Sequence, residues 1–379
     1  MSDKVVCVEL EALQPGDYVV RIEESSGFRL KQSGYIQSEQ SLERLREAGV
    51  KSVWVDPSRR KASPPDEAPE PQGKAETTKP RRLYLEARSA MARFYEAVAG
   101  DAMPDIEEAS QYAKGFVDGA LKHPTTMSCL TRIREKDAYL MEHSLNVCIL
   151  MALFARHLGL DRELIDKLAL GALLHDLGKV KVPESILMKP GKLTDEEFEV
   201  MKTHVTHSAA ILAEEPGLPP EVMDVVANHH ERLDGHGYPA GKGAESLSQY
   251  ARMITIVDVY DALTAERCYK SAMPPTRALK ILLDLSGSHF DRTLVQQFIK
   301  CIGIYPAGTL VRLKSQRLAV VMEVPPETPL KPLVKLIYNA KSRTHLPVQQ
   351  LDLRTSQDSI ECAEDPALYG LNIARYLDA

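Results

Sequence analysis

The chain of 379 residues, 44% of them hydrophobic, has room for two or three domains and enough apolar material for an ordinary globular core. Its formal net charge of -6 argues against a nucleic-acid polymer as the main partner, although a small anionic ligand needs only a local positive pocket. No apolar run approaches the roughly 18 to 20 residues that span a bilayer, and charges in MSDKVVCVELEALQ interrupt the apolar stretch a secretory signal requires, so a cytoplasmic protein without a membrane partner is expected.

Residues 1–56 alternate short apolar runs (KVVCVEL, DYVVRI, KSVWVD) with turn residues such as Pro15 and Gly16. They hold one helical segment, SEQSLERLREAG, that ends on Gly49. This pattern predicts a small α/β module. Residues 57–80 lack large apolar side chains and are rich in proline and charge, which predicts a flexible linker. From 83 to 305 the periodicity is helical, with Pro- or Gly-rich breaks, and predicts an all-α domain. After Pro306 the runs TLVRL, RLAVVMEV and PLVKLIYN predict strands of a small β-rich appendage over 306–379. The expected fold is therefore mainly α. Cys7, Cys129, Cys148, Cys268, Cys301 and Cys362 are scattered without a C-x-x-C pair, so free thiols are expected.

Eight of the eleven histidines fall between His143 and His236. In DAYLMEHSLNVCILMALFARHLG, His143 shares a helix face with Leu140, Val147, Leu150 and Phe154, which points it inward. The apolar helix ELIDKLALGALLHDLGK ends with His175 and Asp176, stops at Gly178 and carries Lys179 beyond. Adjacent helical positions diverge by about 100°, so this pair can approach one metal from two directions or let Asp176 bridge two. In KLTDEEFEVMKTHVTHSAAIL a capping box, Thr194 with Glu197, fixes the helix start. Its phase puts Phe198, Met201, Val205 and Leu212 on the buried side with His204 at the edge, His207 being the second choice. Val222 and Val226 lead at four-residue steps to His230, and Val225 leads to His229. In QYARMITIVDVYDALT, Asp258 sits among Ile254, Val257 and Ala262, with Asp261 on nearly the same side.

Each of these residues has a bland reading: a core histidine bonded to a backbone carbonyl, a capping aspartate, a structural salt bridge, a solvated lysine. All of those would have to hold together on five helical segments of one domain. Neutral imidazoles with aspartates suit iron, manganese, nickel or zinc better than calcium. Seven donors exceed one tetrahedral site, so two divalent metals bridged by Asp176 are expected.

The order HS at 143–144, HDLGK at 175–179, His204, HHERLDGHGYP at 229–239 and D-x-x-D-A-L-T-x-x-R-x-Y-K at 258–270 resembles the HD-GYP subgroup of the HD phosphohydrolase superfamily. The resemblance implies a helical HD-type metallophosphohydrolase domain with cyclic di-GMP phosphodiesterase activity. It implies metal ligation by His143, His175, Asp176, His204, His229, His230 and Asp258, and substrate contacts from Lys179, Asp261, Arg267 and Lys270. A protein partner such as a diguanylate cyclase, met through the GYP loop, is also implied. Gly235, Gly237 and Pro239 shape that loop so that its backbone and Tyr238 lie close to the site, whereas His236 reads as a loop residue. Residues 1–56 resemble the small module of undefined role that often precedes this domain. Two positions depart from the pattern. Tyr139 replaces a glutamate with which some members bind a third metal, which favours two metals and leaves Glu142 or water as substitute ligands. Cys268 replaces the proline of R-P-Y-K and softens that loop.

Two bridged ions lower the pKa of water between them and so supply the nucleophile for in-line attack on phosphorus. Lys179, with Arg267 and Lys270, would offset phosphoryl charge as the transition state forms. One cut yields linear pGpG and a second yields GMP. A phosphodiesterase for another cyclic dinucleotide and a cyclic di-GMP receptor with little turnover are the competing readings. Purely structural metals would leave Lys179 and the glycine-rich loop without a task.

Overall fold

A computed structural model describes residues 5–14, 17–22, 34–36, 42, 45–46, 50, 52–57, 79–132, 139–265, 273–325 and 327–377. The chain divides into two compact units, Met1–Glu76 and Thr77–Ala379.

In the first unit, β1 (Val6–Glu9), β2 (Tyr18–Ile22), β3 (Gly34–Tyr35) and β4 (Ser52–Val55) form an antiparallel sheet of order β1-β4-β2-β3. Val53 and Val55 of the inner strand β4 pack with Leu10, Leu13, Val19, Ile36, Leu42 and Val50. Of the helical segment expected before Gly49 only Leu42, Leu45 and Arg46 are described, in helical conformation, and the expected linker falls almost wholly outside the described residues.

The second unit opens with α1 (Lys79–Ala99), four residues ahead of position 83. Pro80 is tolerated because a first-turn N–H has no intrahelical partner to lose. There follow α2 (Ile106–Lys122), α3 (Pro124–Leu130), α4 (Tyr139–His157), α5 (Arg162–Leu174), α6 (Glu184–Leu187), α7 (Asp195–Ala213), α8 (Pro220–Asn228), α9 (Gln249–Thr264), α10 (Pro275–Asp284) and α11 (Arg292–Ile302). Side chains of Asp105, Asp161, Ser248 and Asp291 accept backbone N–H groups at the starts of α2, α5, α9 and α11. Thr194 and Glu197 close the expected capping box on α7. The middle of α4, from Leu145 to Ala155, is buried on every side, which makes it the central helix of the bundle.

β5 (Leu310–Leu313), β6 (Arg317–Glu323), β7 (Leu333–Asn339), β8 (Thr344–Asp352) and β9 (Ile360–Ala363) form an antiparallel sheet of order β8-β7-β6-β5-β9. The period of two sends Leu310, Leu318, Val320 and Ile337 into the helical core, while Val311, Leu313, Ala319, Val321 and Val334 build a smaller core on the other face. Helices and sheet therefore share one hydrophobic interior. Among the described residues no helix is long and apolar enough to cross a membrane. Among the described residues Cys7, Cys129, Cys148, Cys301 and Cys362 are free.

Candidate metal centre

α5 ends at Leu174, so His175 caps it and Asp176 opens a 3-10 turn over Leu177–Lys181. The turn can lie against α7 only because residue 178 is glycine. A β-carbon there would stand 2.2 Å from the His204 carbonyl oxygen and 2.5 Å from the Ser208 nitrogen. The Gly178 N–H donates to Ser208 Oγ at 2.8 Å, and the contact sets Asp176 beside His204. α8 supplies His229 as its C-terminal cap and His230 one residue beyond the cap. α4 supplies His143, and α9 supplies Asp258 and Asp261.

Three of the histidines repeat one arrangement. Nδ1 of His175, His204 and His229 lies 2.7 Å from the carbonyl oxygen three residues earlier, that of Ala172, Met201 and Val226 respectively. A carbonyl can only accept, so Nδ1 carries the proton and Nε2 keeps a bare lone pair. His143 uses a carboxylate for the same purpose, with Nδ1 2.8 Å from Asp261 Oδ2. Its Nε2 lies 3.4 Å from Asp176 Oδ2 and 3.0 Å from Asp258 Oδ1. His175 Nε2 is 3.3 Å from the same Asp176 Oδ2. The other oxygen, Oδ1, is 3.4 Å from His204 Nε2 and 3.8 Å from His229 Nε2. Each oxygen of Asp176 thus faces a different pair of histidines. His230 Nδ1 completes the ring, 3.5 Å from Asp258 Oδ2.

This arrangement fits a divalent cation. His175 Nε2 and Asp176 Oδ1 are buried without a hydrogen-bond partner, and Nε2 of His204 and His229 face each other at 3.3 Å. Lone pairs buried in this way are costly unless something satisfies them. Among the described residues the donors group as His143, His175 and Asp258; as His204, His229 and His230; and as His175, Asp176 and His229. Imidazole with carboxylate is a donor set for a divalent metal.

Electrostatics separates the groups. Burial pushes His143 down, but hydrogen bonds to Asp258 and Asp261 outweigh it and raise its pKa to about 9. Burial lowers His204 to about 4 against the opposing charge of Asp176, and His230 to about 3 against that of Asp258. His229 falls well below the usual imidazole range through burial and its three histidine neighbours. Burial would raise Asp176, yet the charges of His175 and Lys179 hold it well below the usual carboxylate range. Asp258 is likewise held low against burial by its hydrogen bond to His143.

Lys179 Nζ lies 2.5 Å from Asp176 Oδ2, its side chain only 15% exposed, so it is a partner of the cluster and not a solvated surface lysine. In the following loop a β-carbon on Gly237 would stand 2.4 Å from the Arg232 nitrogen. That close approach lays the Tyr238 ring on His230, centroids 4.7 Å apart. Burial pushes the Tyr238 hydroxyl pKa up. His236, with a side chain 79% exposed, is a loop residue as expected. His207 is half-buried and joins none of the donor groups.

Several expectations need correction. Asp261, expected against substrate, is fully buried behind His143, because helical spacing from Asp258 carries it to the far side of that ring. Glu142, offered as a substitute ligand, is buried and pairs with Arg88 of α1 at 3.4 Å. Phe198, placed in the core by phase, is 46% exposed, because the buried stripe of α7 begins only at His204. Arg267, Cys268 and Lys270 lie outside the described residues. Sequence reasoning missed Glu231. It is buried, and its Oε1 and Oε2 accept the backbone N–H groups of Ala240 and Lys242 at 2.8 and 2.9 Å, stapling the loop shut. Its place directly after the histidine pair was the available signal.

A family model described as an HD domain matches residues 126–294. It is flanked by a domain of unknown function (DUF3391) over 6–109 and a KOW domain associated with HD domain over 310–360. The chain is 38% identical over 342 residues to a cyclic di-GMP phosphodiesterase of Pseudomonas aeruginosa, covering 85% of this chain and 82% of that protein. It is 39% identical over 149 residues to a cyclic di-GMP phosphodiesterase response regulator of Xanthomonas campestris, covering 39% of each. Against a 3'3'-cGAMP-specific phosphodiesterase of Vibrio cholerae it is 36% identical over 173 residues, covering 45% of this chain and 37% of that protein. Among solved structures, an HDG"Y"P protein from Bdellovibrio bacteriovorus shares the fold, with TM-score 0.50 at 17% identity over 78% of this chain and 98% of that one.

Proposed function

Because the chain belongs to the HD-GYP family of HD-domain phosphohydrolases, we propose that it is a metal-dependent phosphodiesterase that opens cyclic di-GMP to pGpG, with GMP as the product of a second cut. The observation that carries this reading is Asp176, whose two oxygens face two different histidine pairs while Lys179 stands against it. Such an arrangement suits two cations. His143, His175 and Asp258 would hold one, His204, His229 and His230 the other, and Asp176 would join them, with iron or manganese as the preferred ions. When bound, the pair supplies a strong oxygen nucleophile at neutral pH and offsets charge on phosphorus.

The chain's own residues do the rest. The Ala172, Met201 and Val226 carbonyls and the Asp261 carboxylate fix which nitrogen of His175, His204, His229 and His143 is turned to the metal side. Lys179 brings a partly buried positive charge to where phosphoryl charge develops, and preorganised charge of this kind acts most strongly away from bulk water. Arg267 and Lys270 would add to it from the segment after α9. Gly237 and Tyr238 line the side of His230, and the exposed end of the same loop, near His236, would meet a protein partner such as a diguanylate cyclase. A cytoplasmic location agrees with a nucleotide second messenger as substrate.

The test is to purify the chain anaerobically, load it with ferrous or manganous ion, and resolve pGpG and GMP after incubation with cyclic di-GMP. No turnover with any of several metals would leave only the receptor reading. Faster turnover of 3'3'-cGAMP, the substrate named for one group of relatives, would change the substrate and keep the chemistry.

A further inference from the structure

The first turn of α7 carries side chains at the edge of the site that no ligand role explains. Phe198 is 46% exposed, and its ring stands edge-on to Tyr238 with centroids 6.2 Å apart. Lys202, one turn further on, holds its ammonium 5.4 Å from the Phe198 centroid and 5.8 Å from that of Tyr238. Glu199 Oε1 lies 2.5 Å from the same ammonium and balances part of its charge. Tyr238 in turn lies on His230 and 6.3 Å from His204. The aromatic wall begins in solvent and ends against the candidate ligands.

An exposed ring next to a polar site leaves apolar surface in water that nothing among the described residues covers. A flat heteroaromatic would cover it, and a cation over both rings would favour one that carries negative charge nearby. We propose that the exposed ring of Phe198, braced edge-on by Tyr238, is the wall on which a base of the substrate stacks, with Lys202 turned toward the attached sugar-phosphate. The proposal rests on the reading of the site as a cyclic-dinucleotide phosphodiesterase. Stacking uses the face of a base, which every base has, and not its edge. The wall therefore favours the larger purines over pyrimidines and does not separate guanine from adenine. Choice among cyclic purine dinucleotides must come from residues elsewhere in the site.

The experiment uses the full-length, metal-loaded chain and the probes GMP, AMP and inorganic phosphate, whose binding is measured by calorimetry beside initial rates on cyclic di-GMP. Phe198→Ala should weaken GMP and AMP alike by about tenfold, the loss typical of one removed stacking partner, and raise KM for cyclic di-GMP to match. Phosphate binding should not change, and Phe198→Trp should restore nucleotide affinity. Unchanged GMP affinity in Phe198→Ala, or an equal loss for phosphate, overturns the wall. So does a parent protein that binds GMP no more tightly than phosphate. A parent that shows the GMP preference and the Phe198 effect but never cleaves cyclic di-GMP sinks the enzyme reading and keeps the wall.

Discussion

The two halves of the histidine and aspartate cluster are built from the same residue types and differ in charge. Around His143 stand Asp258 and Asp261, and the ring is held up at about 9. Around His204, His229 and His230 stand mostly other imidazoles, and burial drives His204 to about 4, His230 to about 3 and His229 well below the usual range. At neutral pH one half therefore holds a proton that a cation must displace, and the other holds none. Carboxylates make much of the difference: His143 bonds Asp258 and, behind it, Asp261, whereas a neutral carbonyl stands behind His204 and His229.

Changes at Asp176 should erase this contrast most completely, since it faces two histidines of each half while Asp258 faces only His230 of the second. Asp176→Ala is expected to lower hydrolysis by at least about a thousandfold, the upper range for one preorganised polar group, and to lower metal content in both halves while the far-UV helical spectrum survives. Unchanged turnover would remove it from the mechanism. Lys179→Ala leaves both halves intact and should cost about a hundredfold or more in turnover with metal content unchanged. Full activity in that variant would return Lys179 to an ion-pairing role alone.

Asp261→Asn tests the contrast directly, because it takes the charge from behind His143 and leaves a hydrogen-bonding group of the same shape. Loss of about ten- to a hundredfold in metal affinity, in the half that contains His143, is expected. Equal loss in both halves would show that the orienting group does not set the difference. The smallest effect is in pH. A folded pKa above the unfolded value near 6.5 means that His143 stabilises the metal-free fold fully below about pH 6.5, and that this is lost as pH rises through about 9. His204 and His230 act oppositely, their contribution being present above about 6.5 and falling away toward 4 and 3. Metal uptake by the His143 half should strengthen by up to about tenfold per pH unit below 9, with one proton released, while the other half changes little above 6.5. Calorimetric titration in buffers of different ionisation enthalpy counts that proton, and a count of zero contradicts the assignment.

Much of the cluster is legible because its donors sit on helices or at their ends. The capping box of Thr194 and Glu197 sets the start of α7, the pair His175 and Asp176 falls at a helix end, and His229 caps α8 with His230 just past it, outside the helical phase that Val222 and Val226 define. Spacing puts Asp261 on nearly the side of Asp258 but cannot say which side of a ring it takes, and the substrate contact implied by the resemblance gives way to a place behind His143. Phase also could not say where α7 leaves the body of the domain, which is why Phe198 was assigned to the core. Glu231 was passed over because a charged residue in a polar loop is ordinary, and only the fold brings two backbone N–H groups to it. In the second sheet β5, β6 and β7 were read from their apolar runs. β8 was not, since THLPVQQLD contains Pro347 and mostly polar residues, a composition that only an edge strand tolerates.

The seating of Gly178 on the backbone of α7 has a consequence for mutational tolerance. A position with no side chain would score, in any screen for lost activity, beside the histidines themselves. Alanine, usually the mildest replacement, would force apart the two segments that carry Asp176 and His204, since its methyl would fall 2.2 Å from a carbonyl oxygen that cannot turn aside. Second-site suppressors, if they exist, should then lie along α7 near Ser208 and not in the HD turn.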